Sequence, residues 1–252
     1  MHLCRRRVAV FLLSALLCAV WAWAQPAPAS TRAAAAEVMA RAATAMGGAQ
    51  AIAAIKDVTV RGTVKLAGPS GDLEGESVGE IVYPGSMRST VTLPMGVMIQ
   101  GFDGRTGWTS MGGQTVDMPA ALAVELRRGI ATAAGIGVVR DVIEGRAEVE
   151  LLARAEVRGR PCDVVRWSQD EVVVTLFYDA ETHLLVKIAY RADTPQGPAD
   201  LEILLTEHKA VGGLQVPFKI VGMQGGRRYL DMTVHEVRFN TGPDAAIFAR
   251  PR

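Results

Sequence analysis

Cysteine is nearly missing from this chain of 252 residues, and the little there is cannot staple a fold. Of the three residues, Cys4 and Cys18 fall in an N-terminal stretch that reads as a leader, which leaves Cys162 without a partner. A disulfide framework and metal sites of the Cys-x-x-Cys kind are thereby excluded, and Cys162 is expected to be a small buried hydrophobe. Aromatic residues are scarce too, at 6%, too few for a platform under sugars or bases. Charge of one sign is also lacking. The 27 basic residues, less Arg5, Arg6 and Arg7 of the leader, leave 24 against 26 acidic ones. That balance carries no footprint for nucleic acid or for an anionic membrane surface.

Reaction chemistry is missing in the same way. His183, His208 and His235 stand singly, with no H-x-H or H-E-x-x-H pair, so no metal ligands are expected. There is no G-x-S-x-G elbow. Gly101-Phe102-Asp103-Gly104 has neither a lysine nor a following helix, and Asp103-Gly104 reads as a hairpin turn rather than a phosphate cradle. Glu74 and Glu76 fit a solvated strand face better than an acid/base couple. No catalytic residue and no cofactor is expected, and the chain reads as a non-enzyme.

What is present begins with export. Arg5-Arg6-Arg7 precedes an apolar run from Val8 to Val20, and Ala22-Trp23-Ala24 fits a cleavage site after Ala24. The run is too short for a comfortable membrane span, and Leu17 stands where a lipidation signal would need a small residue before Cys18. The expectation is a signal peptide over 1–24 and a single periplasmic domain over 25–252. A helix is expected over 31–46, filled with alanine and ended by Gly47-Gly48.

From Asp57 the apolar period becomes two. Residues 74–108 hold three strand-like runs and the start of a fourth, broken by Tyr83-Pro84-Gly85, Leu93-Pro94 and Asp103-Gly104. After Asp117 the pattern turns helical, with Leu122, Leu126 and Ile130 every four residues, so a helical lid insertion is expected near 118–144. A second meander follows, with turns at Arg158-Gly159, Gly212-Gly213 and Gly225-Gly226. The sum is a mainly β (α+β) domain: a strongly curved, open antiparallel barrel or half-barrel of about 11 strands, with helices covering its mouth. Such a sheet can hold a ligand inside. Ile81, Tyr83, Met87, Val91, Leu93 and Met98 are candidates for one wall. Trp108, Val186, Ile188, Ile203 and Leu205 are candidates for the other, and Leu122, Leu126 and Ile130 for the lid. Five methionines crowd between Met87 and Met118, and their flexible, polarizable side chains suit a wall that adapts to apolar guests.

The runs EGESVGEIVYPGSMRST and FDGRTGW resemble the LolA/LolB-like family of periplasmic lipoprotein carriers, with Glu74, Gly75, Gly79, Pro84, Asp103, Gly104, Thr106 and Trp108 at matching places. YDAETHLLVK, GGLQVPFKI and DAAIFARP also resemble outer-membrane lipoprotein-sorting-like proteins. Tyr83 replaces the basic residue that the carrier has before the proline, and the aromatic expected at or near Met87 is absent. The resemblance implies an apolar cavity that receives acyl chains, with lipids or lipidated proteins as ligands of a monomer. An envelope protein is the partner under the alternative, a sensor or protein-interaction module of the same fold.

Overall fold

Residues 29–68, 71–194 and 197–251 are described in the computed structural model; the expected leader lies outside them. The chain opens with α1 (Ala29–Met46) and the short α2 (Ala49–Ala53). The first block of strands is β1 (Asp57–Gly68), β2 (Gly71–Val82), β3 (Ser86–Leu93), β4 (Gly96–Phe102), β5 (Gly107–Met111) and β6 (Gln114–Asp117). Two helices follow, α3 (Ala120–Thr132) and α4 (Ile136–Ile143), joined by a 3-10 turn. The second block is β7 (Glu148–Val157), β8 (Arg160–Gln169), β9 (Val172–Asp179), β10 (Leu185–Thr194), β11 (Gly197–Val211), β12 (Leu214–Gln224) and β13 (Arg227–Phe239).

All thirteen strands join one antiparallel sheet in the order β6-β5-β4-β3-β2-β1-β13-β12-β11-β10-β9-β8-β7. The expectation of about 11 was short, because even the four-residue β6 pairs, through Met111 opposite Gln114. The order is a meander with one long-range closure: β1 pairs with β13, with Val58 opposite Phe239, so the first and last strands meet in the middle. The free edges are β6 and β7, and α3 and α4 are the chain between them. The helical segment therefore crosses from one edge to the other, and α3 lies against β3–β5 on one side and β9–β10 on the other. A sheet this wide twists and curls, and the helices fill the concave side of the curl.

The turns that were read from sequence work as the chemistry requires. Gly212 (φ 55°) and Gly213 (φ 85°) form a two-residue hairpin whose positive φ values cost a side-chain-free residue little. At the central closure, the Asp57 carboxylate accepts from the backbone N–H of Thr241 (2.7 Å) and of Gly242 (3.1 Å), pinning the chain after β13 to the start of β1. At the β6 edge, Arg250 donates to the Thr115 carbonyl (3.0 Å) and pairs with Asp117 (2.7 Å), which covers part of an otherwise open strand.

The core lies between helices and sheet. Val38, Met39, Ala42 and Met46 of α1, Leu126 and Ile130 of α3, and Ile136, Val138 and Val139 of α4 pack on Trp167, Val174, Leu176, Tyr178 and Leu185. The indole N–H of Trp167 donates to the Val138 carbonyl at 3.1 Å, so this buried ring anchors α4 while leaving no orphan donor. Cys162 is buried, and burial raises its thiol pKa, with the Asp179 carboxylate adding to the effect.

Candidate functional site: the concave face of the sheet

Residues directly opposite one another in neighbouring strands point to the same face, so the pairing reads out what the concave side presents. One row runs Val58–Ile81–Met87–Phe102–Gly107 from β1 to β5. It lies under the helices: a side chain at Gly107 would come within 3.2 Å of Leu126, and one at Gly129 of α3 within 3.6 Å of the Met87 sulfur. Two residues farther along each strand lies Val60–Gly79–Ser89–Gln100–Thr109–Val116. The next row is Gly62–Ser77–Val91–Met98–Met111. On the other side of the closure, Ile188–Ile203–Gly222–Leu230 and Leu205–Ile220–Met232 continue the same face.

The concave face thus has two parts. At the helical end Ile81, Tyr83, Phe102 and Ile188 are packed core. Away from it, Leu93, Met98, Ile203, Ile220, Leu230 and Met232 are only half-buried. Met111 is 64% exposed and Met95, in the turn before β4, 68%. The result is an apolar trough with α3 as one bank. Gly79 leaves open space in its floor, whereas Gly222 is covered by the Tyr229 ring and Gly75 by Thr92 and Leu93.

The expected wall residues separate along these lines. Ile81, Tyr83, Ile188 and Leu205 are buried in the core, and Met87 is half-buried against it. Val91, Leu93, Met98 and Ile203 stand along the trough. Two expectations need correction. Trp108 pairs with Gly101, which pairs with Arg88, and that row faces the convex side. Trp108 is buried there by the C-terminal tail, with its indole N–H donating to the Phe248 carbonyl at 2.9 Å. Val186 is the second: a register shift between Leu185 and Lys187 puts Leu185 beside Ile188 in the core, and Val186 stays out of it. Of the expected lid residues, Leu126 and Ile130 are core, while Leu122 is half-buried.

Polar groups at the helical end are spent on structure. The Tyr83 hydroxyl reaches the Ala133 carbonyl at 3.4 Å with the Arg140 guanidinium 5.5 Å from its ring; burial pushes its pKa far up and the Arg140 charge only partly opposes that. The Asp141 carboxyl, on α4, is raised by burial against the opposing ion pair with Arg146. Among the described residues no three His, Cys, Asp or Glu side chains converge as a metal site would need. His235 contacts the Thr63 hydroxyl at 2.7 Å on the outer side of the sheet. No helix of the described residues is long and apolar enough to cross a membrane.

No family model matches the chain, and no curated protein matches it. Solved structures do. A protein of the DUF1329 family from Desulfovibrio piger superposes with a TM-score of 0.58 at 9% identity, covering 87% of this chain and 97% of that one. A putative outer membrane lipoprotein-sorting protein domain from Vibrio parahaemolyticus gives 0.55 at 9% identity, over 86% and 97%. A LolA superfamily protein from Nitrosomonas europaea gives 0.52 at 14% identity, over 86% and 97%.

The chain has the LolA-type fold. At these identities the likeness speaks to architecture alone. Within that LolA-type sheet, sequence reasoning missed one feature of the concave side: a polar cluster of Glu125 and Arg128 on α3 with Tyr190 and Tyr229. Its signal was available, since Glu125 and Arg128 stand three apart between the apolar positions 122, 126 and 130 of the same helix.

Proposed function

We propose that this chain is an exported, periplasmic, non-enzymatic carrier that holds the acyl chains of a lipid or a lipidated protein in the apolar trough. The observation that carries this reading is the set of half-buried apolar side chains Leu93, Met98, Ile203, Ile220 and Met232 on the concave face, part of which packs against the edge of the core while Met111 at the β5 end is exposed. A contiguous apolar face that a soluble chain leaves half-open is a place for an apolar guest. Burying an alkyl chain contributes about 0.8 kcal/mol per methylene, so about ten methylenes contribute ~8 kcal/mol before the entropy of association is subtracted. That suits a carrier that must also let go. Tight packing under α1, α3 and α4 favours a second reading for the helical end: there the fold offers a partner surface more than a cavity, as an envelope sensor or interaction module would.

The test is uptake of a pyrene-labelled alkane. The carrier reading expects saturable binding near one probe per chain, with pyrene emission shifted to that of a dry environment. No uptake at any concentration below probe aggregation contradicts it.

A further inference from the structure

Met98 and Met111 stand directly opposite one another on β4 and β5. Opposed residues carry their Cβ atoms about 4.5–5.5 Å apart on one face. The two thioethers therefore close the β5 end of the concave row that begins at Gly62, Ser77 and Val91. They differ in access: Met111 is 64% exposed, while Met98 is half-buried in the trough. The other methionines span the same range. Met39 and Met46 are core, Met87, Met118 and Met232 pack against it, and Met95, in the turn before β4, is as open as Met111.

The surroundings leave these thioethers only one way to hold a guest. From Ser89 to Phe102 and from Thr106 to Val116 the chain has no Asp, Glu, Lys, Arg or His. Met98 and Met111 thus contribute apolar contact, and these hairpins carry no charged group to replace it if it is lost. The thioether is also the one group in this stretch that an oxidant converts from apolar to polar.

We propose that Met111 and Met98 form a sulfoxidation site that sets the apolar affinity of the trough, with a peroxide as the oxidant. A sulfur lone pair attacks one peroxide oxygen, the O–O bond breaks, and sulfur gives up two electrons as the S–O bond forms. The proton on the transferred oxygen passes to the departing hydroxide, which leaves as water. At Met111 the new oxygen is hydrated by solvent and the fold is undisturbed. At Met98 it draws water into the half-buried row, where an alkyl chain then meets a polar group instead of dry surface. This rests on the carrier reading and adds regulation of the same site.

The experiment is graded treatment with hydrogen peroxide, quenched with free methionine, followed by peptide mass mapping, pyrene-alkane titration and a thermal midpoint. Wild-type protein is expected to gain oxygen first at Met95 and Met111, next at Met98, and last at Met39 and Met46. Once Met98 and Met111 are both converted, probe affinity should fall about tenfold with the midpoint within about 2 °C of its untreated value. In the double variant Met98→Leu/Met111→Leu, peroxide should change affinity by less than about twofold from that variant's own starting value. Met95→Leu should keep the full loss on treatment. Oxidation of Met39 before Met98, or unchanged affinity with both sulfoxides formed, overturns the assignment and leaves the carrier reading standing. So does a double variant as sensitive as wild type, or an affinity loss that only tracks a falling midpoint. The treated wild-type protein decides on its own, so a poorly folding double variant does not spare the idea. Failure of untreated protein to take up the probe overturns both readings.

Discussion

Trp108 lies across Gly101 on the convex face, so close that a methyl group at Gly101 would sit 2.3 Å from the indole ring. The ring is held from the other side by the tail, through its bond to Phe248. Overpacking of this kind typically costs 1–3 kcal/mol. Gly101→Ala should therefore lower stability by about 1–3 kcal/mol, read from urea denaturation followed by tryptophan fluorescence. An unchanged midpoint would mean the ring does not rest there.

The register shift in β10 makes a second comparison. Ile188 is fully buried in the core, whereas Val186 is half-buried outside it. Ile188→Ala is expected to cost about 2–5 kcal/mol and Val186→Ala less than about 1 kcal/mol. Equal costs would place Val186 back on the core face and remove the shift.

Neighbouring residues on β4 test which face binds. Met98 points into the trough and Val97, 42% exposed, points the other way. Lysine placed in a site that must stay dry should weaken pyrene-alkane uptake by about tenfold in Met98→Lys. Val97→Lys should leave uptake unchanged. Equal loss in both, or loss only in Val97→Lys, would put the ligand elsewhere.

Stability should fall on the acid side in two stages. Burial lowers the His208 pKa below its ordinary 6.5, with a hydrogen bond to the Leu185 backbone acting against it. The folded chain thus keeps His208 neutral to lower pH than the unfolded chain does. Its contribution is complete above pH 6.5 and is lost as pH falls through the folded value. Asp103, held down chiefly by the Thr106 N–H and then by that of Arg105, behaves likewise below 3.8. So does Asp179, where burial raises the pKa but bonds from Thr182 and Glu181 and the charge of Arg160 outweigh it. His208→Gln should flatten the dependence of the thermal midpoint between about pH 7 and pH 5 and leave the lower stage in place. A wild-type midpoint that does not change over that interval would contradict the His208 assignment.

Much of the sheet could be read from sequence because its turns are local. Pairs such as Gly212-Gly213 and Asp103-Gly104 mark hairpins wherever they occur between apolar runs. The helical segment after Asp117 was legible for the same reason, as a change of period. What failed was parity. In β5, Gly107 faces the helices and Trp108 faces out, and nothing local says that a tryptophan should be the outward member of that pair; the tail that buries it arrives from 140 residues away. In β10 a single bulge reassigns Val186, because an extra residue exchanges the two faces of a strand. The pairing of β1 with β13 and the place of Arg128 opposite Tyr190 also depend on contacts distant in sequence. Of the candidate site, the apolar floor was therefore visible in the sequence; of its polar end only the Glu125–Arg128 spacing was, and the approach of Tyr190 and Tyr229 was not.

The most direct test of the trough as a binding site is native mass spectrometry of the protein purified from periplasm without detergent, followed by organic extraction of whatever it carries. The account predicts a bound population heavier than the bare chain by the mass of an acyl lipid, released on extraction and depleted in Met98→Lys. A wild-type protein that is bare in the native spectrum, and that stays bare after incubation with ester-lipid vesicles, would contradict it.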